Sequence, residues 1–167
     1  MALLKKLLNK KEEVTTVDFS IYSPLIGNVV SLSDVNDPVF AQEMMGKGIA
    51  VFPTVGQVFA PCDGELISVF RTLHALTIKA DNGAEIIIHI GLETVALDGQ
   101  HFESHVQDGH RIKKGDLLLT FDLEQIKKAG YDLVTPVIVT NPTLFQRVEE
   151  TKKDVVNSGD LLMELKN

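Results

Sequence analysis

The sequence predicts an all-β protein, an antiparallel β-sandwich with one or two short helices, and three observations lead there. From Val17 onward, short apolar runs rich in β-branched residues alternate with Gly, Pro, Asn and Asp. The stretch "ADNGAE" places Asn82-Gly83 between two such runs, which is typical of a tight hairpin. The segments "KKGDLLLTFDL" (113–123) and "VNSGDLLMELK" (156–166) resemble each other, so one turn-then-strand unit is used twice.

This repetition is typical of barrel-sandwich proteins, in which similar hairpins stack into two sheets. A chance similarity between turns is the alternative. The candidate strands, in chain order, are "VDFSIYSP" (17–24), "GIAVFPT" (48–54), "GQVFAP" (56–61), "GELISVF" (64–70), "HALTIKA" (74–80), "AEIIIHI" (84–90), "DLLLTFDL" (116–123), "TPVIVTN" (135–141) and "DLLMELK" (160–166).

Two helical segments interrupt the strands. The first, "DPVFAQEMM" (37–45), predicts a single short turn of helix. The second, "DLEQIKKAGYD" (122–132), is clearer: Asp122 is suited to the N-cap, Ile126 faces inward and Gly130 ends the helix.

The N-terminal segment differs from the rest of the chain. Residues 1–13 place leucines at helical spacing among four lysines and carry two acidic residues only at their end. This pattern predicts a tail over residues 1–16, either frayed or an amphipathic helix in peripheral contact with a membrane surface, followed by one domain over 17–167.

Composition excludes several classes of protein. The net charge of −7 argues against nucleic acid as the main partner. Cys62 is the one cysteine, so no internal disulfide forms, and no apolar run reaches the length of a membrane span. Lysines interrupt the apolar residues of the N-terminus, unlike a signal peptide, and a cytoplasmic location is expected.

A histidine near the end of the strand "EIIIHIG" is the first candidate site residue. Because side chains alternate between faces, Ile86, Ile88 and Ile90 share one face, which we expect to lie in the core. His89 lies on the other face with Ile87.

A second histidine is expected beside it. If a two-residue turn pairs Asp81 with Ala84, His89 faces Leu76 across the hairpin. His74 then lies on the same face of the adjacent strand, diagonal to His89 and roughly 7–8 Å away between Cα atoms.

The two histidines predict an unusual surface with two chemical interpretations. We expect exposed apolar residues beside them, namely Phe70, Ile87 and Phe40. A nucleophilic imidazole needs one free nitrogen and the other held by a hydrogen bond, which backbone exposed at Gly91 can supply. A second imidazole can donate to an oxyanion, and the two together form a phosphoryl acceptor site.

Zinc is the competing interpretation, and it needs a third ligand, such as Glu85 or Asp98. The remaining histidines, His101, His105 and His110, are expected to be polar loop residues. Cys62 is expected to be a small, semi-buried residue in the turn "APCDG".

The segment "EIIIHIGLETVALDG" resembles the glucose-type enzyme IIA of the bacterial phosphoenolpyruvate-dependent sugar phosphotransferase system. The resemblance extends through "SPLIGNVVSLSDVNDPVFAQEMMGKGIAVFPT", "FAPCDGELISVFRTLHAL", "VQDGHRIKKGDLLLTFDL" and "TPVIVTN". It implies a cytosolic phosphocarrier with a barrel-sandwich fold (a duplicated hybrid motif), whose type-1 EIIA domain spans 17–167. The implied partners are the histidine phosphocarrier protein, which donates the phosphoryl group, and the IIB domain of a sugar permease.

The resemblance also implies roles for individual residues. His89 accepts the phosphoryl group, His74 stabilises it and Thr72 supports His74. No metal or other cofactor is required. An apolar docking patch with two acidic residues near the site is implied at Phe40, Met44, Met45, Phe70 and Ile87, with Asp37 and Glu93.

Three residues depart from the family pattern. Glu93 replaces a common Asp, Ile87 replaces a larger apolar residue, and His101 replaces a glycine whose backbone φ would be positive. Two alternatives stay open: a zinc-dependent hydrolase on a related sandwich, and a non-catalytic regulatory module that binds other proteins.

Overall fold

The computed structural model describes residues 16–167, so the predicted tail of 1–16, apart from residue 16, lies outside the described residues. Within 16–167 the chain forms fourteen strands and two short α-helices, α1 (Pro38–Ala41) and α2 (Leu123–Lys128). The strands are β1 (Ser20–Tyr22), β2 (Gly27–Val30), β3 (Lys47–Pro53), β4 (Gln57–Phe59), β5 (Gly64–Val69), β6 (Ala75–Ala80), β7 (Glu85–His89), β8 (Phe102–Ser104), β9 (Arg111–Ile112), β10 (Leu117–Phe121), β11 (Thr135–Val139), β12 (Arg147–Glu150), β13 (Val155–Val156) and β14 (Leu161–Lys166).

The strands form three antiparallel sheets. The large sheet has eight strands in the order β13-β2-β3-β11-β7-β6-β5-β9, and two small sheets have the orders β1-β14-β12 and β4-β10-β8. The antiparallel sandwich predicted from the sequence is confirmed.

The predicted repetition is visible in both topology and hydrogen bonding. The strands β10 and β14, which carry the two similar segments, are each the central strand of a small sheet. The turns before them are built alike: Asp116 accepts from the backbone N–H of Lys113, and Asp160 accepts from that of Asn157. The turn-then-strand unit is therefore used twice in three dimensions.

Two clusters of buried side chains lie on opposite faces of the large sheet. The larger one includes Ile86, Ile88 and Ile90, as strand alternation predicted. The smaller one includes Ile87 of β7, Phe40 of α1 and Leu32 of the 3₁₀ segment Leu32–Asp34. His89 therefore lies on the face that α1 partly covers.

All nine candidate strands form, but five short ones were missed: β2, β8, β9, β12 and β13. All five have two to four residues, too few for a periodic pattern to stand out. The helix α2 matches its prediction, since the Asp122 side chain accepts from the N–H of Gln125 and Ile126 is fully buried. The Asp122 cap and Gly130, at φ +93°, bound it as expected.

The predicted register of the β6–β7 hairpin is wrong by one residue. The pairs are Ala75 with His89 and Leu76 with Ile88, rather than Leu76 with His89. The reason is a three-residue turn, in which the side-chain oxygen of Asn82 accepts from the N–H of Ala84. Because a slip of one residue exchanges the faces, Leu76 points into the main core with Ile88.

Candidate functional site

His74 and His89 lie side by side at one edge of the β6–β7 pair. Their ring centroids are 4.9 Å apart and the ring planes meet at 82°. His89 is the last residue of β7, whereas His74 precedes β6, whose first residue pairs with His89. The predicted proximity of the two rings is confirmed, although the predicted route to it through strand pairing is not.

The turn between β5 and β6 brings His74 to this position. Leu73 has a left-handed backbone with φ +57°, which reverses the chain just before His74. The N–H of Phe70 then donates to Ala75, and the N–H of Leu73 donates to Phe70, closing the turn. This turn, rather than strand alternation, directs the His74 ring towards His89.

A hydrogen bond to the backbone holds the His89 ring. Nδ1 lies 2.8 Å from the carbonyl oxygen of Gly91, and since a carbonyl can only accept, Nδ1 carries the proton. The other ring nitrogen, Nε2, consequently keeps a free lone pair.

Only glycine fits at position 91. Its φ is +72°, and a Cβ there would lie 2.7 Å from both the Asp132 carbonyl oxygen and the Thr94 methyl group. The sequence prediction that this glycine supplies a backbone acceptor for His89 agrees with this geometry.

Thr72 supports the second histidine. Its hydroxyl oxygen lies 2.7 Å from Nδ1 of His74. A hydroxyl that donates to Nδ1 leaves the proton on Nε2, and that N–H is then available to an incoming oxyanion. His74 itself is buried, at 4% exposed.

Both rings are kept neutral near pH 7. Burial, with a smaller contribution from the charge of His89, lowers the pKa of His74 to about 4. Burial also lowers the pKa of His89, although the Gly91 carbonyl and the negative charge of Asp37 oppose that shift. A neutral His89 with a free Nε2 is the form in which an imidazole is nucleophilic.

Aromatic rings flank the pair. Phe40 packs on His89 with 5.1 Å between centroids, and Phe70 meets the edge of His74 at 5.5 Å. Phe70 is 37% exposed as expected, but Phe40 and Ile87 are each only 4% exposed. The expectation that these two are exposed is wrong, because Phe40 is the buried residue of α1 and packs with Ile87 in the smaller buried cluster.

Other apolar residues near Phe40 and Gly91 in the sequence are exposed. Met44 is 69% exposed and Met45 is partly buried. Val39 at 40% and Val95 at 53% were not predicted. Val39 is exposed because its neighbour in α1, Phe40, faces inward. The sequence carried no signal for this, since Phe40 was predicted to be the exposed residue.

The two predicted acidic residues, Asp37 and Glu93, lie at the rim of a surface crevice. Asp37 caps α1 by accepting from the N–H of Val39. Glu93 is exposed and has φ +57°. Together with Asp132 they line this crevice of about 460 Å³, which Leu92 of the segment after His89 also lines.

The other candidate residues lie away from the pair. His105 contacts Thr120, His110 accepts from the N–H of Gln107, and His101 has φ +73°, the positive value expected for a position that favours glycine. Cys62 is buried, and burial raises the pKa of its thiol to about 12. Among residues 16–167 no three His, Cys, Asp or Glu side chains lie close enough to share a metal ion, so the zinc interpretation gains no third ligand there.

Residues 19–145 match the family described as phosphoenolpyruvate-dependent sugar phosphotransferase system, EIIA 1. The chain belongs to this family. The resemblance noted in the sequence is thereby confirmed. In the described part of this EIIA 1 chain, no helix is long and apolar enough to cross a membrane.

Individual relatives of this EIIA 1 chain are of two kinds. A "PTS system glucose-specific EIIA component" of Staphylococcus epidermidis is 48% identical over 158 residues, covering 95% of each chain. A "PTS system beta-glucoside-specific EIIBCA component" of Halalkalibacterium halodurans is 45% identical over 156 residues, covering 93% of this chain. The present chain spans only 23% of the length of that second relative.

The fold comparison agrees. The solved structure of glucose permease IIA from Mycoplasma capricolum superposes with a TM-score of 0.82 at 36% identity, covering 90% of this chain and 97% of the other. The barrel-sandwich architecture expected of EIIA 1 members is therefore present here.

Proposed function

We propose that this protein is a phosphocarrier that accepts a phosphoryl group on Nε2 of His89 and passes it to a sugar permease. The observation that carries the proposal is the 2.8 Å hydrogen bond from Nδ1 of His89 to the Gly91 carbonyl, which leaves Nε2 free. Family membership supports it, since an EIIA component of the phosphotransferase system is what the family describes.

The transfer is an in-line displacement. The Nε2 lone pair of His89 attacks phosphorus, a new N–P bond forms, and the N–P bond to the donor histidine breaks, leaving the electron pair on the donor. Donation is the reverse, with the acceptor group of the next protein attacking. Catalysis consists of positioning and charge stabilisation, for which the His74 ring at 4.9 Å is placed.

The proposed partners are the histidine phosphocarrier protein as donor and the IIB domain of a permease as acceptor. Relatives named EIIBCA components support the second, since their names place B, C and A parts in one chain. The proposed contact surface comprises Phe70, Met44, Met45 and Val39, with Asp37 and Glu93 at its rim. Phe40 and Ile87 support this surface from below.

The proposed location is the cytoplasm, where a free Cys62 is stable and sugar permeases present their IIB domains. The membrane contact of residues 1–13 remains a prediction from sequence. The proposal does not involve nucleic acid or a metal.

Mass spectrometry tests the proposal directly. After incubation with phosphoenolpyruvate, the general phosphotransferase enzyme and the histidine phosphocarrier protein, we expect the protein to gain the mass of one phosphoryl group. His89→Ala should not gain it. A phosphorylated His89→Ala variant would contradict the assignment, and a wild type that is never phosphorylated would favour a regulatory module.

A further inference from the structure

The peptide unit between Gly91 and Leu92 lies between two hydrogen bonds. Its N–H, on Leu92, donates to the backbone oxygen of Asp132 at 2.9 Å. Its carbonyl, on Gly91, accepts from Nδ1 of His89 at 2.8 Å. Hydrogen bonds in series polarise one another, so the first bond makes Gly91 a better acceptor for the second. The loop before β11 is thereby connected to the His89 ring.

The preceding residue, Ile90, is held from both sides. Its N–H donates to the backbone oxygen of His74 at 2.7 Å, and its carbonyl accepts from the hydroxyl of Thr94. Thr94 is fully buried, and its methyl group fills the space in which a side chain at Gly91 would lie. The direction in which the Gly91 carbonyl points is thus fixed by bonds on either side of it.

Asp132 contributes through its own side chain as well. Its carboxylate accepts from the N–H of Val134 at 2.9 Å and thereby fixes the loop backbone that presents the Asp132 oxygen to Leu92. The side chain of Asp132 is exposed, so altering it leaves the core undisturbed.

We infer that Thr94 and Asp132 are positioning residues for the phosphoryl acceptor: they clamp the segment from Ile90 to Leu92 so that Gly91 holds His89 in the tautomer protonated on Nδ1. The role in phosphoryl acceptance rests on the proposed function. The hydrogen bonds that fix the segment from Ile90 to Leu92 are present in the unphosphorylated protein. In the other tautomer the proton is on Nε2, and that nitrogen has no lone pair with which to attack phosphorus.

The structure offers matched variants. Thr94→Val keeps the shape but removes the hydroxyl, whereas Thr94→Ser keeps the hydroxyl. Asp132→Ala removes the acceptor for Val134, whereas Asp132→Asn keeps an acceptor without the charge. Ser23→Ala is the structural control, because Ser23 is 1% exposed and donates to the Leu25 carbonyl far from the site in sequence.

The test is the ¹⁵N chemical shifts of the His89 ring in protein labelled on histidine, which distinguish the two neutral tautomers. We expect the wild type, Ser23→Ala, Thr94→Ser and Asp132→Asn to be protonated on Nδ1. In Thr94→Val and Asp132→Ala we expect the tautomer protonated on Nε2 to become detectable, and the rate of phosphoryl acceptance to fall several-fold. A role in stability alone would lower the melting temperature without changing the tautomer.

The inference is overturned if both variants keep the wild-type tautomer, or if Ser23→Ala shifts it equally. Should Thr94→Val fail to fold, Asp132→Ala alone decides, because that side chain lies at the surface. Failure of the proposed function would be seen separately. If the wild type never accepts a phosphoryl group, the ¹⁵N shifts still report whether Thr94 and Asp132 set the tautomer of His89.

Discussion

The backbone N–H of Ile90 donates to the carbonyl oxygen of His74 at 2.7 Å, and this bond ties the chain after His89 to the chain before β6. The two histidines are therefore brought together by main-chain groups that any residue at those positions would provide. Substituting either ring should consequently change the chemistry of the site more than its architecture.

His74→Gln should still become phosphorylated on His89 but should donate poorly to the permease domain. The His89 lone pair does not depend on His74, whereas the departing phosphoryl group needs the donor that His74 supplies. Rapid-quench kinetics of both half-reactions measure this, and we expect donation to slow by about 100-fold.

Thr72→Val is the companion variant, because it removes the hydroxyl beside Nδ1 of His74 without altering the ring. We expect a smaller loss in donation and none in acceptance. Equal slowing of both half-reactions in His74→Gln would show that His74 takes part in acceptance too.

Phe70→Glu and Met44→Glu should each weaken binding of the histidine phosphocarrier protein by at least about tenfold, since a charge placed in an apolar interface is poorly solvated. Both side chains are exposed, so the fold should persist. Val155→Glu, at a residue 59% exposed on the edge strand β13, is the matched control. Titration calorimetry giving unchanged affinity for both variants would place the docking surface elsewhere.

Ile87→Glu should behave differently from those surface variants. Its side chain is 4% exposed within the cluster beneath α1, so a carboxylate there is buried without a partner. We expect a loss of about 3 kcal/mol in the free energy of unfolding. Urea unfolding of Ile87→Glu beside Phe70→Glu checks this, and equal stability of the two would contradict the burial of Ile87.

Acidification should affect stability through His74. Its pKa is lowered from 6.5 to about 4, so between these values the unfolded chain binds a proton that the folded protein does not. The free energy of unfolding therefore falls as the pH drops below 6.5, and this contribution levels off below about 4. The full shift in the pKa of His74 corresponds to about 3 kcal/mol in the free energy of unfolding. Because solvent screens the ring at the open edge of the site, we expect a change of about 2 kcal/mol.

His74→Gln removes this titrating group and is the control for the pH dependence. Urea unfolding between pH 7 and pH 4 should show a shallower decline for the variant than for the wild type. Parallel curves would mean that the ring of His74 is solvated enough to titrate normally. Phosphoryl acceptance should likewise persist somewhat below pH 6.5, because burial lowers the pKa of His89.

Deleting residues 1–13 should reduce association with anionic lipid vesicles without changing phosphoryl acceptance. The segment carries four lysines, each worth about 1 kcal/mol near such a surface. Vesicle co-sedimentation at low and physiological salt measures it. Replacing the four lysines by glutamine is the matched control, and equal sedimentation of all forms would favour a frayed tail.

Much of the fold was predictable from the sequence, because it depends on local patterns. Ile86 and Ile88 of β7 face the core opposite to His89, the Asp122 cap and Gly130 bound α2, and the repeated Gly-Asp turns recur before β10 and β14. The predicted register of the β6–β7 hairpin was wrong, because the side chain of Asn82 closes a three-residue turn, one residue longer than the dipeptide Asn-Gly implies.

By itself the sequence determined the sandwich, the resemblance to its family and the two histidines, because hydrophobic period, turn residues and a short motif are all written locally along the chain. Only the tertiary structure decided which of the apolar neighbours are exposed, since Phe40 of α1 and Ile87 of β7 pack into one buried cluster. It also decided what supports the Gly91–Leu92 peptide that holds His89, since the N–H of Leu92 donates to the backbone oxygen of Asp132, far along the chain. Packing between distant segments selects such a contact, and no local pattern records it.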